Sequence, residues 1–372
     1  MALAEVFGTP IHVLISIEFR SGTPRFCGVL FFSSFCLKNT KKNVDIPQLM
    51  IELQNILNKA KSFKTLDREE LLFLLSLGES SNEAALLRNC ANKITRKRTS
   101  NKPLVLAQIG IENHACPANC KFCSFAQDIN SAREVLSLEE ISQKALEMSG
   151  SGKLDALFIM AMHDYDANYL LKVCAHLRQI ISDKVKLVVN IGDTSKDFFK
   201  ELKKVGVSGA YHVCRLREGE DTFLNPRDRI ATIEALKSLG FDWYNCCEPL
   251  GAEHTNEEIL DQIEIGNTYE CFQHAAMPRV VFENSPLARR PEISKLRLAQ
   301  IVAVVTLASL KNKALKSIAV HEPNVLSLNS GANSLYAESG KNPRDTAKDT
   351  SLSRGKSIGE ILEMFREANY DI

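Results

Sequence analysis

Cys116-Pro117-Ala118-Asn119-Cys120-Lys121-Phe122-Cys123 is the stretch on which the reading of this chain turns. Its three cysteines are spaced C-x₃-C-x₂-C, so three thiolates can face one point from a single loop. A structural zinc site takes four protein ligands, and no fourth Cys or His follows at finger-like spacing. A [4Fe–4S] cluster is normally held by four thiolates. Three thiolates therefore imply either a remote fourth ligand or one iron open to a small molecule. A zinc knuckle and unrelated buried thiols are the competing readings.

Outward from this loop, the chain offers room for one large barrel or two ordinary domains, at 372 residues with 45% apolar and 24% charged content. A net charge of +1 gives no electrostatic reason to bind nucleic acid or a membrane surface. The cysteines outside the loop show no disulfide-framework spacing, so a reducing cytoplasm is expected. No run of eighteen or more apolar residues is present. Residues 1–43 differ from the rest. Apolar bursts at 11–17 and 29–35 are broken by Glu18, Arg20 and Pro24, and Glu5 and Glu18 spoil a secretory signal. A poorly ordered or spurious extension is expected there, with an added hairpin as the alternative.

Residues 44–100 carry the 3.6-residue period of three helices, one opened by Thr65 or Asp67 and the last ending in a basic turn at Lys93 to Arg98. They predict a helical cap packed below a barrel. From 101 to 372 strand and helix alternate. Apolar runs at 104–111, 156–162, 185–191, 209–216, 243–247, 275–281, 317–320 and, weakly, 334–337 predict strands. Helical stretches lie between them, several behind cap residues such as Ser137 and Thr255. About eight parallel strands predict an α/β fold, a TIM-type (β/α) barrel whose chemistry lies at the strands' C-terminal ends. The cysteine loop follows the first strand, at that end. A Rossmann sheet is the weaker alternative, because no G-x-G-x-x-G is present.

C-x₃-C-x₂-C with Phe122 before the last cysteine resembles the radical S-adenosylmethionine (SAM) superfamily. Within it, four further stretches resemble biotin synthase and its relatives, which include the hydrogenase maturase and methylornithine synthase group. These are Pro226-Arg227-Asp228-Arg229 with the helix it opens, Pro249-Leu250-Gly251-Ala252-Glu253, Ser285-Pro286-Leu287-Ala288 and Gly331-Ala332-Asn333-Ser334. Two departures stand out. Met160-Ala161-Met162 and Val188-Val189-Asn190 replace the strand cysteines that hold biotin synthase's second cluster, and Cys246-Cys247 stand slightly displaced on the fifth strand.

The resemblance implies a [4Fe–4S] cluster on Cys116, Cys120 and Cys123, with SAM on the open iron. It implies SAM contacts from Phe122, Arg229 and Glu253, from Arg217 or Glu218 at the end of the fourth strand, and from Asn190 at the end of the third. The bland alternatives are a loop-anchoring phenylalanine, a surface arginine, a solvated turn and a loop cap. By strand alternation His212, Cys214 and Leu216 share one face, read here as inward. A second Fe–S cluster or sulfur source would then draw on Cys214, one of Cys246 and Cys247, and His321. Buried apolar packing of the thiols is the alternative. Arg344 and Arg354, in a polar tail expected to wrap the barrel mouth, are candidates to hold an anionic group.

The implied chemistry is one-electron cleavage of SAM to a 5′-deoxyadenosyl radical that takes hydrogen from an unactivated carbon. Two enzyme readings follow. One is sulfur insertion, a transferase reaction as in biotin or lipoyl formation. The other is rearrangement or fragmentation of an amino-acid-sized substrate without an auxiliary cluster. An iron–sulfur scaffold is the non-enzyme reading. The implied partners are a flavodoxin- or ferredoxin-type reductant and a small or carrier-protein-bound substrate, with no nucleic acid and no membrane.

Overall fold

The computed structural model describes residues 46–372, so the readings of residues 1–43 lie outside the described part. Three helices come first: α1 (Ile46–Lys61), α2 (Arg68–Ser76) and α3 (Asn82–Thr99). Asp67 caps α2 in a reciprocal capping box with Glu70, and Ser81 caps α3. The chain then enters β1 (Leu104–Gly110), a short hairpin of β2 (Glu112–His114) and β3 (Arg133–Val135), and α4 (Leu138–Ser149). Regular alternation follows: β4 (Ala156–Met160), α5 (Ala167–Ile180), β5 (Lys186–Asn190), α6 (Lys196–Lys204), β6 (Val207–Tyr211) and α7 (Pro226–Ser238). It continues through β7 (Asp242–Leu250), α8 (Asn256–Thr268), β8 (Gln273–Pro278), α9 (Lys295–Ala308), α10 (Val325–Leu328), β9 (Ser334–Gly340) and α11 (Ile358–Glu367).

Seven strands form one parallel sheet in the order β8-β7-β6-β5-β4-β1-β9. Residues 317–320 join its two edges. Ser317 and Val320 bridge to β8 at Gln273 and Ala276, and Ala319 bridges to β9 at Ser334, all parallel. The sheet thus curls into the expected (β/α) barrel, its eighth wall a short extended segment.

Alternation splits each strand between two cores. Outward side chains such as Ile109, Ile159, Val189, Trp243 and Val320 join the helices in the main core. Inward ones, among them Leu106, Phe158, Val188, Tyr211, Tyr244, Cys246, Ala275 and Tyr336, fill the barrel. Phe158 sits edge-on to both Tyr244 and Tyr336, with centroids 4.9 and 5.0 Å apart, and plugs the barrel's middle. The hydroxyl of Tyr336 donates to Gln273 Oε1 at 2.8 Å, which satisfies a polar atom that the plug buries.

The N-terminal helices form the expected cap. α2 and α3 pack on α9, and α2 also on α8. Arg68 of α2 pairs with Asp261 and Glu264 of α8. Gln300 of α9 donates to the carbonyls of Leu74 and Leu77. Covered by the barrel on one side and these helices on the other, α9 buries every residue from Leu298 to Leu307.

His274, on the outward face of β8, is fully buried. Its Nδ1 lies 3.2 Å from Ser309 Oγ, and a Cβ on Gly266 of α8 would fall 2.6 Å from its ring. Burial pushes its pKa down to about 3. The unfolded chain takes up this proton below about pH 6.5 while the folded chain refuses it, so stability falls as pH drops from about 6.5 towards 3. The slope is at most about 1.4 kcal/mol per pH unit for one histidine. Thermal melts between pH 7 and 4.5 should show a shallower loss for His274→Gln than for the parent chain. Equal slopes would mean that the folded protein protonates His274 freely.

Candidate active site

The cysteine loop is the excursion between β2 and β3, at the C-terminal end of the barrel. Its backbone is stitched to itself. The N–H of Cys116 donates to Phe125 O at 2.8 Å, and that of Cys123 donates to Cys120 O at 3.1 Å. Asn119 holds a left-handed turn (φ 44°), with its side-chain amide donating to Asp128 at 2.6 Å. Neighbouring loops clamp it. Lys121 N donates to Asp221 O, Ser124 N donates to Pro343 O, and the hydroxyl of Ser285 donates to Lys121 O. Cys116, Cys120 and Cys123 thereby line one cavity together with Phe122.

Burial pushes all three thiols up, Cys120 to about 12, so deprotonated sulfurs here need a metal to stabilise them. Among the described residues no group of three or more Cys, His, Asp or Glu side chains is placed to hold a single metal ion. Three cysteines on one cavity wall, with open space beside them, fit a [4Fe–4S] cluster that keeps one iron for a small ligand.

The rest of the cavity is built by the barrel, one inward side chain from each wall. β1, β4, β5 and β6 give Gln108, Met160, Asn190 and Tyr211. β7, β8 and β9 give Glu248, Met277 and Glu338, and His321 directly follows the 317–320 segment. Asn190 Nδ2 donates to Gln108 Oε1 at 2.9 Å. Glu248 accepts from the Tyr211 hydroxyl and from Arg215 Nε, the latter at 3.0 Å. Glu338 takes two hydrogen bonds from Arg344 Nη2, at 2.6 and 2.8 Å. The tail expected at the barrel mouth crosses here. A Cβ on Gly110, at the end of β1, would lie 1.6 Å from Lys341 O, so only glycine admits the crossing. Arg344 reaches the cavity but is also bound to Glu322, and Arg354 pairs with Glu322 at its edge.

Beside the cysteine loop runs a buried ionic chain. Arg215 Nη1 lies 3.7 Å from Glu218 Oε2, which lies 3.5 Å from Arg229 Nε. Arg229 Nη1 meets Asp193 Oδ1 at 3.0 Å, and His212 Nε2 lies 3.2 Å from the same oxygen. Burial works to raise Asp193, but His212 and Arg229 hold it down to about 2. Arg229 also donates to Val213 O through Nε and Nη2, which leaves two of its five N–H groups for a ligand.

Of the residues read from the sequence, the structure brings Cys116, Cys120, Cys123, Phe122, Asn190, Arg229, His321 and Arg344 to this cavity. Glu218 stands just behind it, against Arg215 and Arg229. Arg217 does not line it. With φ 53° the chain turns at this residue, and the guanidinium points to Glu258 and to the carbonyl of Glu253. Glu253 does not line it either, since its carboxylate is taken up by Arg279, with Arg290 3.5 Å away.

The inward face of β6 is a correction. Tyr211 and Val213 fill the barrel and Arg215 lines the cavity, so His212 and Cys214 face outward. His212 packs instead against Asp193, and its carbonyl accepts from Trp243 Nε1 at 2.8 Å. Cys246 points inward and Cys247 outward, where its sulfur meets Ile259 O of α8. Cys214 and Cys246 therefore lie on opposite sides of the barrel wall, and neither lines the cavity. An in-barrel cluster on Cys214, one of Cys246 and Cys247, and His321 has no common centre.

The sequence reading missed Glu112, Tyr211, Glu248, Met277 and Glu338. A signal for two of them was present: Glu248 and Glu338 are carboxylates inside otherwise buried strands, and buried carboxylates are rare unless paired.

No protein-family model matches the chain. It is similar to biotin synthase of Carboxydothermus hydrogenoformans, 26% identical over 263 residues, covering 65% of this chain and 78% of that protein. It is also similar to biotin synthase of Anaplasma marginale (strain Florida), 24% identical over 251 residues, covering 64% and 77%. Among solved structures, methylornithine synthase superposes with a TM-score of 0.73 at 17% identity, over 85% of this chain and 96% of that one. The FeFe-hydrogenase maturase of Carboxydothermus hydrogenoformans superposes with a TM-score of 0.71 at 18% identity, over 87% and 80%.

Proposed function

We propose that this chain, a radical SAM enzyme of the biotin synthase-like group, removes hydrogen from an unactivated carbon of a polar, amino-acid-sized substrate. The radical then rearranges or fragments rather than receiving sulfur. The observation that carries this reading is the ring of cavity side chains, which is polar apart from Met160 and Met277 and, among the described residues, contains no thiol besides the cysteine loop's own. Sulfur insertion would need a sulfur source beside the substrate, and Cys214 and Cys246 are on opposite sides of the wall. The likeness in fold to methylornithine synthase, whose product is an amino acid by name, supports the same choice.

Cys116, Cys120 and Cys123 would hold the cluster. When bound, the cluster and SAM supply the one-electron chemistry that no side-chain acid or base can perform. The free N–H groups of Arg229 would hold the SAM carboxylate, because a planar guanidinium matches it in geometry and charge. Glu218 and Asp193 fix that guanidinium in place. Phe122, on the same wall, would pack against the adenine. Asn190, tied to Gln108, is placed for a polar contact. The plug of Phe158, Tyr244 and Tyr336 shuts the barrel from below, and the 341–354 tail covers one side of its mouth, so water is kept from the reacting carbon. A flavodoxin- or ferredoxin-type donor would deliver the electron.

The test is anaerobic reconstitution of the full chain, followed by iron analysis and assay of 5′-deoxyadenosine with SAM and dithionite. About four irons per chain are expected. About eight would restore an auxiliary cluster and with it sulfur insertion. Absence of 5′-deoxyadenosine would leave the iron–sulfur scaffold.

A further inference from the structure

Building on the amino-acid reading above, we infer that His321 is the hydrogen-bond partner of the substrate's polar head, and that this head carries no net charge, as in an amino-acid zwitterion. Within the ring of inward side chains His321 is the polar member whose side chain makes no hydrogen bond to the described residues. Gln108 and Asn190 bond to each other, Tyr211 and Arg215 to Glu248, and Arg344 to Glu338. His321 is 4% exposed and lines the cavity, and its Nε2 has no partner among the described residues. Leaving such an atom dry costs about 1–3 kcal/mol.

Its position is not accidental to packing. The ring stacks on Tyr336, with centroids 4.6 Å apart and planes 22° apart, and Tyr211 abuts it edge-on at 5.9 Å. The backbone N–H of His321 donates to Ala276 O at 3.1 Å, which ties the residue to β8. The imidazole is thus held rigidly by its faces while a ring nitrogen goes unused, an arrangement that suits a bound ligand.

Burial, then the nearby Arg344, keep the imidazole neutral by pushing its pKa well down. A neutral ring offers one donor and one acceptor and adds no charge. Three glutamates (Glu112, Glu248, Glu338) and three arginines (Arg215, Arg229, Arg344) line the cavity. Glu248 is already paired with Arg215, Glu338 with Arg344, and Arg229 with Asp193 and Glu218, so a substrate with net charge would be desolvated without compensation, whereas a zwitterion adds none.

The test uses the reconstituted full chain with SAM, dithionite and each perdeuterated proteinogenic amino acid in turn, with deuterium in 5′-deoxyadenosine as the readout. The parent chain should take deuterium from at least one of them. His321→Ala should raise KM for that amino acid by about tenfold, the worth of one hydrogen bond. His321→Gln, which again offers donor and acceptor, should recover part of the loss. Iron content and melting temperature report whether each variant folds and holds its cluster, and His321→Gln serves alone if His321→Ala does not fold. Unaltered KM in both variants, or in His321→Gln alone with no difference in pH profile or deuterium yield from the parent, would overturn the role of His321 and leave the amino-acid reading standing. SAM cleavage by the parent with no deuterium from any amino acid would overturn both.

Discussion

Cys120→Ala is expected to lose the cluster's visible absorption and, with it, all SAM cleavage, while the barrel stays folded. Two thiolates cannot hold a cubane that already leaves one iron to its small ligand. The loop should survive the change. Its shape rests on backbone bonds from Cys116 to Phe125 and on the Asn119–Asp128 pair, and among the described residues the one polar contact of the Cys120 sulfur is long, 3.9 Å to Ala118 O. A circular-dichroism melt near that of the apo parent, with iron content close to zero, would be the matching pair of results. Full 5′-deoxyadenosine production by this variant would remove the cysteine loop from the chemistry.

Arg229→Leu should be costly in a different way. The guanidinium is 3% exposed and stands between Glu218 and Asp193. Removing it takes the closest cation from the half-buried Asp193 and leaves the buried Glu218 only Arg215, 3.7 Å away, a loss of about 3 kcal/mol. Poor soluble yield or a sharply lowered melting temperature is expected. Arg229→Lys separates folding from binding. It keeps the charge but cannot span Val213 O and Asp193 while offering further donors to a carboxylate. That variant should assemble its cluster with normal iron content, yet cleave SAM about tenfold to hundredfold more slowly, the worth of one charge-assisted hydrogen bond. Parent-like cleavage by Arg229→Lys would take Arg229 out of the SAM contacts and leave it a structural cation.

Much of this architecture was legible in the chain. The capping residues Ser137 and Thr255 stand where α4 and α8 begin, because their hydroxyls meet N–H groups that the first helical turn leaves free. The apolar runs became barrel walls, down to the short 317–320 segment. The cysteine spacing marked the loop because local spacing alone brings three thiols to one wall.

What the sequence alone could not decide was the phase of the strands. Parallel strands are buried on both faces, so they read as continuous apolar runs. In β6 and the turn after it, Tyr211-Val213-Arg215 and His212-Cys214-Leu216 are equally plausible inward sets by residue type. A shift of one residue moves every side chain to the other face, and closure of the barrel chose the first set. That choice separates Cys214 from Cys246 and sends Arg215 to Glu248, 33 positions away. The same holds at the turns. Arg217 and Glu253 stand in loops at the active end, yet the left-handed backbone at Arg217 and the nearby Arg279 draw both away from the cavity. Local sequence carries the periods and caps that make strands and helices. Which of two alternating faces meets the substrate depends on contacts between distant walls, and only the folded chain supplies them.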